Sequence, residues 1–266
     1  MKEFDVRDIA GKTAWITGAG TGIGEGAAIA LAAAGARVVL TGRRVAMLED
    51  VAATIAKGGG EAHCMPADLT DWPSVERTTA EIKSKLGRID ILISNAGMNI
   101  PDRSWARLRP EAIGDLIQAN LTSAAYCTQA VLPLMREQGD GQLIFTSSLS
   151  GRIVSPVSGP MYTAAKHGVV ALSHTVNLEE CQNGIRSTVV CPGEVATPIM
   201  EKRDPPEPPE EVARMVQPAH LGEVVVFLAR QPAHVCINEI WVTPTHNRGY
   251  IAQMNSNRSQ RDALRK

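Results

Sequence analysis

Short apolar runs alternate with longer Ala- and Leu-rich segments along most of the chain, and this alternation constrains the fold more than any other feature. A short apolar run between turn residues is typical of a strand buried on both faces, and Ile89–Ile93 is nearly all apolar. Repeated strand–helix units with right-handed crossovers give a parallel sheet with helices on both faces. The sequence therefore predicts an α/β fold, a single doubly wound domain with a parallel sheet of about seven strands.

The pattern places seven strands and six helices along the chain. The predicted strands are Thr13–Thr17, Arg37–Thr41, Glu61–Met65, Ile89–Ile93, Leu143–Thr146, Arg186–Val190 and Glu239–Val242. The predicted helices are Ala27–Ala34, Val45–Ala56, Ser74–Leu86, Glu111–Glu137, Tyr162–Cys181 and Leu221–Ala229.

Two stretches interrupt the alternation, Arg152–Pro160 and Thr197–Pro218. The second contains prolines at positions 205, 206, 208 and 209, so it cannot form one regular helix. A long irregular loop inside a compact domain is usually functional or mobile. We therefore expect residues 1–254 to form one domain with a mobile substrate loop near 197–218. Residues 255–266 are expected to form a polar, loosely ordered tail unless they pack on a partner subunit.

Composition excludes several classes of protein. The chain of 266 residues has a formal net charge of −1 and no dense basic block, which argues against nucleic-acid binding. The sequence contains no run of about 18 apolar residues, so it predicts no membrane span. The charged start of the chain does not resemble a signal peptide. The five cysteines are scattered and form no C-x-x-C pair, so we expect unpaired thiols in a reducing, cytoplasmic setting and no metal site.

A glycine-rich turn, T-G-A-G-T-G-I-G over residues 17–24, follows the first predicted strand. Glycines allow close backbone approach to a pyrophosphate, and the following helix offers free N–H groups and the positive end of its dipole. The G-x-G-x-x-G pattern is absent, and the spacing is T-G-x-x-x-G-x-G. The alternative is a turn that only joins strand to helix. The candidate cofactor-binding residues here are Gly18, Gly20, Thr21, Gly22, Ile23 and Gly24.

From about Lys12 to Val242 the chain resembles the short-chain dehydrogenase/reductase family, whose fold is Rossmann-type. The resemblance rests on the glycine spacing and on three further segments in order: Asp68–Leu69, Asn95–Ala96–Gly97, and Pro192–Gly193 followed by Thr197–Pro198. It implies that Asp68 and Leu69 contact the adenine and that Asn95, Ala96 and Gly97 stabilise the sheet and line the adenine-ribose side. It also implies that Pro192, Gly193, Val195 and Thr197 hold the nicotinamide carboxamide.

The end of the second strand predicts which coenzyme is bound. An acidic residue there would bind the ribose 2′-hydroxyl of NAD, whereas an arginine accommodates the 2′-phosphate of NADP. The chain has Gly42, Arg43 and Arg44 at this point and no acid. NADP(H) is therefore favoured over NAD(H), with Arg43 and Arg44 as contacts, although both could simply solvate a turn. Thr21 stands where NADP-preferring relatives often have a basic residue.

The segment Tyr162-Thr-Ala-Ala-Lys166 places a phenol and an ammonium one helical turn apart, on the same face. A nearby cation favours the phenolate, so we expect Lys166 to lower the pKa of Tyr162 toward the working range of an acid–base catalyst. Alone, this spacing is a common accident. The family resemblance implies a catalytic set of Asn120, Ser148, Tyr162 and Lys166. Tyr162 and Lys166 also contact the cofactor, and Ser147 and Ser150 are competitors for the role of Ser148.

The substrate is the least constrained part of the sequence. The run 232–240 with Thr243–Pro244–Thr245 resembles the family branch that oxidises 3-hydroxy acids with NADP, which implies a small hydroxy or carbonyl substrate. An arginine on a nearby loop, Arg103 or Arg152, could bind a carboxylate bidentately. Met98, Met161 and Met200 would instead suit an apolar ketone and a general carbonyl reductase.

Two other classes of protein remain open: a non-catalytic NADP-binding regulator, and an epimerase or dehydratase that uses the coenzyme transiently. The resemblance also implies a homotetramer or homodimer in which the helices around Asn120 and Tyr162 pack against their copies. Small residues on those helices would allow close approach, among them Ala124, Ala125, Ala164, Ala165 and Ala171.

Overall fold

The computed structural model describes residues 6–198, 200 and 206–264. Seven parallel strands form one sheet in the order β3-β2-β1-β4-β5-β6-β7. The strands are β1 Thr13–Thr17, β2 Arg37–Thr41, β3 Glu61–Cys64, β4 Ile91–Ser94, β5 Gly141–Thr146, β6 Ile185–Pro192 and β7 Glu239–Val242. The predicted fold class and the parallel sheet are confirmed.

Helices connect these strands and cover both faces of the sheet. They are α1 Gly22–Ala33, α2 Val45–Lys57, α3 Trp72–Leu86, α4 Pro110–Ile117, α5 Ser123–Gln138, α6 Pro160–Glu180, α7 Pro209–Arg214, α8 Pro218–Ala229 and α9 Arg248–Leu264. Prolines lie in the first turns of α3, α4, α6, α7 and α8, where the missing N–H costs no helical hydrogen bond.

Two apolar cores lie on opposite faces of the sheet. On one face α1, α2 and α8 pack through buried residues such as Leu31, Leu48 and Leu221. On the other face α3, α5 and α6 pack through residues such as Ile82, Val131 and Val169. The inner strands β1, β4 and β6 are buried along their whole length, as expected for strands covered on both faces.

The long helix predicted over Glu111–Glu137 is interrupted. Gln118–Thr122 forms a π-helical turn between α4 and α5. Such turns insert one extra residue into an α-helix and often occur at functional sites. A pattern of apolar residues does not reveal this insertion, because the residues on either side keep helical periodicity.

Two further differences concern the helices. Helix α9 extends to Leu264, with no proline inside it, and so includes most of the stretch for which the sequence predicts a loosely ordered tail. Ala124 and Ala165 are also buried in their own subunit, so they are not available for contacts with a copy.

The order of the strands creates a crevice at one edge of the sheet. The chain runs outward from β1 to β2 and β3, then crosses back to β4 beside β1. At this reversal the loops after β1 and β4 diverge, which leaves space for a ligand at the carboxyl ends of the strands. No helix in the described part of the chain is long and apolar enough to cross a membrane.

Candidate active site

The glycine-rich turn lies at the carboxyl end of β1 and leads directly into α1. Gly18 and Gly22 have φ angles of +63° and +62°, which other residues rarely adopt. Gly20, Thr21, Ile23 and Gly24 lie in the same turn and the first turn of α1, and Thr21 is the helix N-cap without a side-chain cap bond. The Glu25 carboxylate accepts from the Gly22 N–H at 3.2 Å. The turn thus presents backbone amides at a helix N-terminus, although one of them is already bonded.

Asn95 and Ala96 connect this turn to the end of β4. The Thr17 hydroxyl accepts from the backbone N–H groups of Asn95 at 2.8 Å and Ala96 at 3.0 Å. The Asn95 amide donates to the carbonyl oxygens of Thr17 and Gly18 at 3.2 and 3.3 Å. These four bonds fix the walls of the crevice relative to each other.

Asp68, Arg43 and Arg44 surround the outer end of the crevice. The Asp68 carboxylate accepts from the Thr70 N–H at 3.0 Å and from its hydroxyl at 2.7 Å. These bonds, and the charge of Arg43, lower the pKa of Asp68. The Arg44 guanidinium lies 3.4 Å from the Thr21 hydroxyl. Both arginines are exposed, and Leu69 is buried behind Asp68.

The three neighbouring serines after β5 have different partners. The Ser147 hydroxyl donates to the Lys166 carbonyl oxygen at 2.9 Å, and the Ser150 hydroxyl lies 2.6 Å from that of Ser158. Ser148 is partly exposed, its oxygen accepts from the Ser150 N–H at 3.1 Å, and it hydrogen-bonds Tyr162. Of the three, Ser148 is the one that contacts the phenol.

Tyr162 and Lys166 lie on the same face of α6, as the spacing predicts. The Lys166 ammonium is 5.5 Å from the centroid of the Tyr162 ring and donates to the Thr146 carbonyl oxygen at 2.9 Å. Lys166 is buried, and Tyr162 is partly exposed. The ammonium therefore lies over the face of the ring rather than against the phenol oxygen.

The expected lowering of the Tyr162 pKa is wrong for this arrangement. Burial raises the pKa of Tyr162 above its usual value, and the hydrogen bond to Ser148 and the charge of Arg103 only partly offset it. Burial also lowers the pKa of Lys166 to about 8, so this lysine loses its proton more readily than an exposed lysine does. Relative to the free side chains, the phenol is therefore a weaker acid and the ammonium a stronger one.

Asn120 lies in the π-helical turn and is buried. Its amide donates to the carbonyl oxygens of Met98 at 2.8 Å and Leu116 at 2.9 Å, and its oxygen accepts from the Met98 N–H at 3.2 Å. A Cβ at Gly97 would lie 2.6 Å from the Asn120 oxygen and 3.5 Å from the Lys166 ammonium. Only glycine at position 97 leaves room between these two groups.

The segment after β6 lies across the crevice from α1. The Gly193 N–H donates to the Val242 carbonyl oxygen at 2.8 Å. This bond joins the residue after Pro192, where β6 ends, to the last residue of β7. Val195 forms an isolated parallel bridge with Val216. A Cβ at Gly22 would lie 2.9 Å from the Thr197 methyl carbon, so this segment contacts the glycine-rich turn.

The two candidate arginines for a substrate carboxylate are in different situations. Arg152 forms a bidentate ion pair with Glu239. Arg103 packs over Gly159, and its charge reaches Tyr162. Met98 and Met161 are partly buried, and Met200 is buried. Arg152 is thus committed to Glu239, and of the two only Arg103 acts on the phenol.

Several groups in the site were not identified from the sequence. Thr17 and the Thr146 carbonyl supply hydrogen bonds at the ends of β1 and β5. Thr17 is the first residue of the glycine motif, which could have singled it out. A backbone carbonyl has no sequence signal. Met98 contacts Asn120 only through its backbone.

Comparison with known proteins places the chain among a large group of oxidoreductases. The family model described as short chain dehydrogenase matches residues 12–208. The oxidoreductase UcpA of Salmonella typhimurium is 34% identical over 242 residues, covering 83% of this chain and 88% of that protein. The uncharacterized oxidoreductase YxbG of Bacillus subtilis is 33% identical over 231 residues, covering 82% and 84%.

Solved structures with the same fold include two with bound nucleotides. An alcohol dehydrogenase from Thermococcus sibiricus, complexed with 5-hydroxy-NADP, has a TM-score of 0.80 at 28% identity and covers 89% of this chain and 98% of that one. A metagenomic short-chain oxidoreductase in complex with NADP has a TM-score of 0.78 at 30% identity and covers 91% and 100%.

Proposed function

Because the chain belongs to the short-chain dehydrogenase/reductase family, we propose that it is an NADP(H)-dependent oxidoreductase acting on the CH–OH group of a small alcohol or on the corresponding carbonyl. The observation that carries the proposal is the convergence of Ser148, Tyr162, Lys166 and Asn120 at the carboxyl edge of the sheet. The Ser148–Tyr162 hydrogen bond and the position of Lys166 over the ring are the contacts expected of one reaction centre.

The residues present fit a dinucleotide. The turn after β1 provides backbone amides at a helix N-terminus, and its glycines leave the backbone open to a pyrophosphate. A bound phosphate would compete with Glu25 for the Gly22 N–H. When bound, the nicotinamide would supply or accept the hydride. The residues expected to hold it are Tyr162, Lys166, Pro192, Gly193, Val195 and Thr197.

In the direction of reduction, Tyr162 donates its phenolic proton to the substrate oxygen. The phenol carries this proton at neutral pH, and burial, which raises its pKa, makes it a weaker acid than a free phenol. Ser148 donates a second hydrogen bond to the same oxygen and stabilises the charge that develops there. Proton loss from the phenol leaves a phenolate near the Lys166 ammonium, which stabilises it. Asn120 holds the backbone at Met98 beside this pair.

We propose that NADP(H) is preferred over NAD(H). Arg43 and Arg44 are exposed beside the glycine-rich turn, where a 2′-phosphate could accept charge-assisted bonds from them. The charge of Arg43 acts on Asp68, but the Asp68 carboxylate already accepts hydrogen bonds from Thr70. Asp68 therefore does not replace the acid that an NAD-specific site needs.

Two substrate classes follow from the arginines and methionines near Tyr162. A 3-hydroxy acid would need a cation for its carboxylate, and Arg103 is the candidate because its charge reaches the phenol. The ion pair of Arg152 with Glu239 and the methionines Met98 and Met161 favour the second candidate, a carbonyl reductase for less polar ketones.

We further propose a homotetramer or homodimer in the cytoplasm. Ala164, Ala171 and Leu178 recur every seven residues on one exposed face of α6, and Leu178 is 78% exposed. Such a face suits close helix packing against a second copy. All five cysteines are unpaired in the structure, as a reducing compartment requires.

The test is a screen for coenzyme consumption with NADP(H) and NAD(H) against ketones, aldehydes, 3-hydroxy acids and their methyl esters. Net, stoichiometric oxidation of NADPH by a carbonyl is expected. Binding without turnover would identify a regulator, and product formation without net coenzyme change would identify an epimerase or dehydratase. Faster turnover of esters than of free acids would exclude carboxylate recognition.

A further inference from the structure

Ser148 begins a short turn that ends at Arg152, and residues 148–152 are called here the Ser148 turn. Leu149–Gly151 forms one turn of 3₁₀-helix with Ser148 at its N-terminal cap and Arg152 at its C-terminal cap. The Ser148 hydroxyl oxygen accepts from the Ser150 N–H at 3.1 Å, and the Ser148 carbonyl oxygen accepts from the Gly151 N–H at 2.9 Å. The position of the hydroxyl therefore depends on the position of the turn.

The side chain of Arg152 connects the Ser148 turn to the last strand of the sheet. Its Nε donates to Glu239 Oε1 at 2.8 Å, and its Nη2 donates to Glu239 Oε2. Glu239 is the first residue of β7 and lies opposite Val189 of β6. Because this strand belongs to the sheet, the ion pair fixes the far end of the turn to the scaffold of the protein.

Other groups hold the Glu239 carboxylate in place. The Trp241 indole N–H also donates to Oε1, the Cys191 sulfur lies 3.9 Å from the same oxygen, and His174 Nε2 lies 3.9 Å from Oε2. The side chains of Arg152 and Glu239 are 30% and 19% exposed, so the pair is partly shielded from water. A shielded bidentate pair is stronger and more specific in geometry than an exposed ion pair with one hydrogen bond.

The Ser148 turn has a second support that does not involve Arg152. The Ser150 hydroxyl lies 2.6 Å from the Ser158 hydroxyl. Gly151 lies so close to α6 that a Cβ there would be 2.7 Å from the Lys166 carbonyl oxygen. These contacts remain when the ion pair is lost, so the turn should keep its fold and lose its fixed position. A donor that stabilises developing charge must be held in place, so a small shift of the turn is enough to lower turnover.

We propose that Arg152 is a positioning residue whose ion pair with Glu239 holds the Ser148 hydroxyl beside the Tyr162 phenol. The inference rests on the proposed function, because it assigns Arg152 a part in the reaction of Ser148 and Tyr162. Ser148 hydrogen-bonds Tyr162, so a shift of the turn changes both this contact and the hydrogen bond that Ser148 offers to a substrate oxygen. Arg152 thus acts through Ser148, and its own guanidinium binds Glu239.

The experiment combines R152M with S148A in a double-mutant cycle. S148A removes the hydroxyl that the ion pair positions, and alone it should lower kcat by about 10²-fold. R152M should lower kcat about tenfold when Ser148 is present and less than about twofold in the S148A background. A merely structural role of Arg152 would lower kcat equally in both backgrounds.

R136M is the matched control. Arg136 makes a bidentate pair with Glu180, the last residue of α6, at the opposite end of this helix from Tyr162. R136M therefore removes the same kind of ion pair at a distance from the Ser148 turn, and kcat per folded molecule should stay within about twofold of the wild type. E239Q keeps Arg152 and removes the charge of its partner, so it should lower kcat as R152M does. It also serves if R152M does not fold.

Hydrogen exchange followed by mass spectrometry gives a second readout that does not depend on activity. The backbone N–H groups of Ser150, Gly151 and Ile153 all donate to acceptors within the Ser148 turn. These amides should exchange about tenfold faster in R152M and in E239Q, because the turn opens more often when its far end is released. R136M should exchange there at the rate of the wild type.

The proposal would be overturned by a kcat of R152M within about twofold of the wild type, by an equal loss in the S148A background, or by unchanged exchange in the turn. If no carbonyl or alcohol is turned over with either coenzyme, the proposed function fails on its own. The exchange rates still decide whether the ion pair with Glu239 holds the turn, because they are measured without substrate.

Discussion

At the edge of the sheet where the strands begin, charged side chains pair with one another, whereas the reaction centre at the opposite edge consists of hydroxyl groups, an amide and a phenol around a single lysine. At the first edge, Asp90 accepts from Lys12 Nζ at 3.2 Å, from Arg88 Nε at 2.9 Å and from the Thr13 N–H at 2.9 Å. At the second, Ser148, Tyr162 and Lys166 make hydrogen bonds mostly with backbone groups and with each other.

The charged edge connects the starts of neighbouring strands. Asp140, just before β5, pairs with Arg7 and lies 3.8 Å from Arg186 at the start of β6. Arg186 is buried and also donates to Gln142 in β5 at 3.1 Å. These contacts hold elements that are far apart in sequence, so their contribution is to stability.

The difference between the two edges follows from strand direction. In a parallel sheet all strands end at one edge, so their following loops gather there and can build a site, while the opposite edge is left to structural contacts. Substitutions at the carboxyl edge should therefore reduce activity more than stability, and substitutions at the amino edge the reverse. Four experiments sharpen or break this comparison.

The largest effect is expected for Y162F. It removes the proposed phenolic proton donor and should lower turnover by about 10²–10⁴-fold, while the free energy of unfolding falls by about 1 kcal/mol or less. Steady-state kinetics and urea unfolding measure the two. Y126F is the control, since Tyr126 packs edge-on against Trp72 and lies outside the site. Turnover above a tenth of the wild type would contradict the role of Tyr162.

D90N should show the opposite behaviour. An amide cannot accept from Lys12, Arg88 and the Thr13 N–H together, and its NH2 group would face other donors. The free energy of unfolding should fall by about 3 kcal/mol, with turnover per folded molecule nearly unchanged. The exposed Asp102 provides the control, because D102N should change stability by less than about 0.5 kcal/mol. A stable but inactive D90N would break the comparison.

R43A tests whether the carboxyl edge selects the coenzyme. Losing one charge-assisted contact to a 2′-phosphate should raise the KM for NADPH about tenfold and leave that for NADH nearly unchanged. The exposed Arg77 on α3 is a matched control for the lost charge. Equal changes for both coenzymes would show that Arg43 only solvates its turn.

K166M tests an exception to this comparison. Lys166 lies at the carboxyl edge, and its burial as a cation is expected to lower the free energy of unfolding. The pKa of Lys166 is about 8 in the folded protein, below its ordinary value of 10.5. Between these values the unfolded chain binds the proton more tightly, so stability rises with pH through this window. The free energy of unfolding of the coenzyme-free wild type, relative to K166M, should increase by about 1 kcal/mol from pH 8 to pH 9. If the difference in free energy of unfolding between the wild type and K166M does not change with pH, Lys166 is not desolvated.

Local patterns were sufficient to predict much of this structure. The strands Thr13–Thr17, Arg37–Thr41 and Glu239–Val242 have the predicted bounds, because turn residues flank apolar runs on both sides. The i, i+4 spacing also placed Lys166 beside Tyr162, since helix geometry alone fixes that relation.

Features that depend on distant contacts were not predictable. The pairing of Arg152 with Glu239 and of Arg248 with two glutamates joins residues many positions apart, and no local pattern reveals it. The direction of the Tyr162 pKa shift depends on how deeply the phenol is buried, which the spacing of two residues does not reveal. The π-helical turn at Asn120 adds one residue within a helical pattern, and the spacing of apolar residues does not reveal such an insertion.

The place of Arg248 in the chain has a consequence for truncation. Arg248 lies six positions after Val242, the last residue of the last described strand. A chain that stopped after Val242 would keep every strand of the sheet and would lose the guanidinium that contacts Glu194 and Glu207.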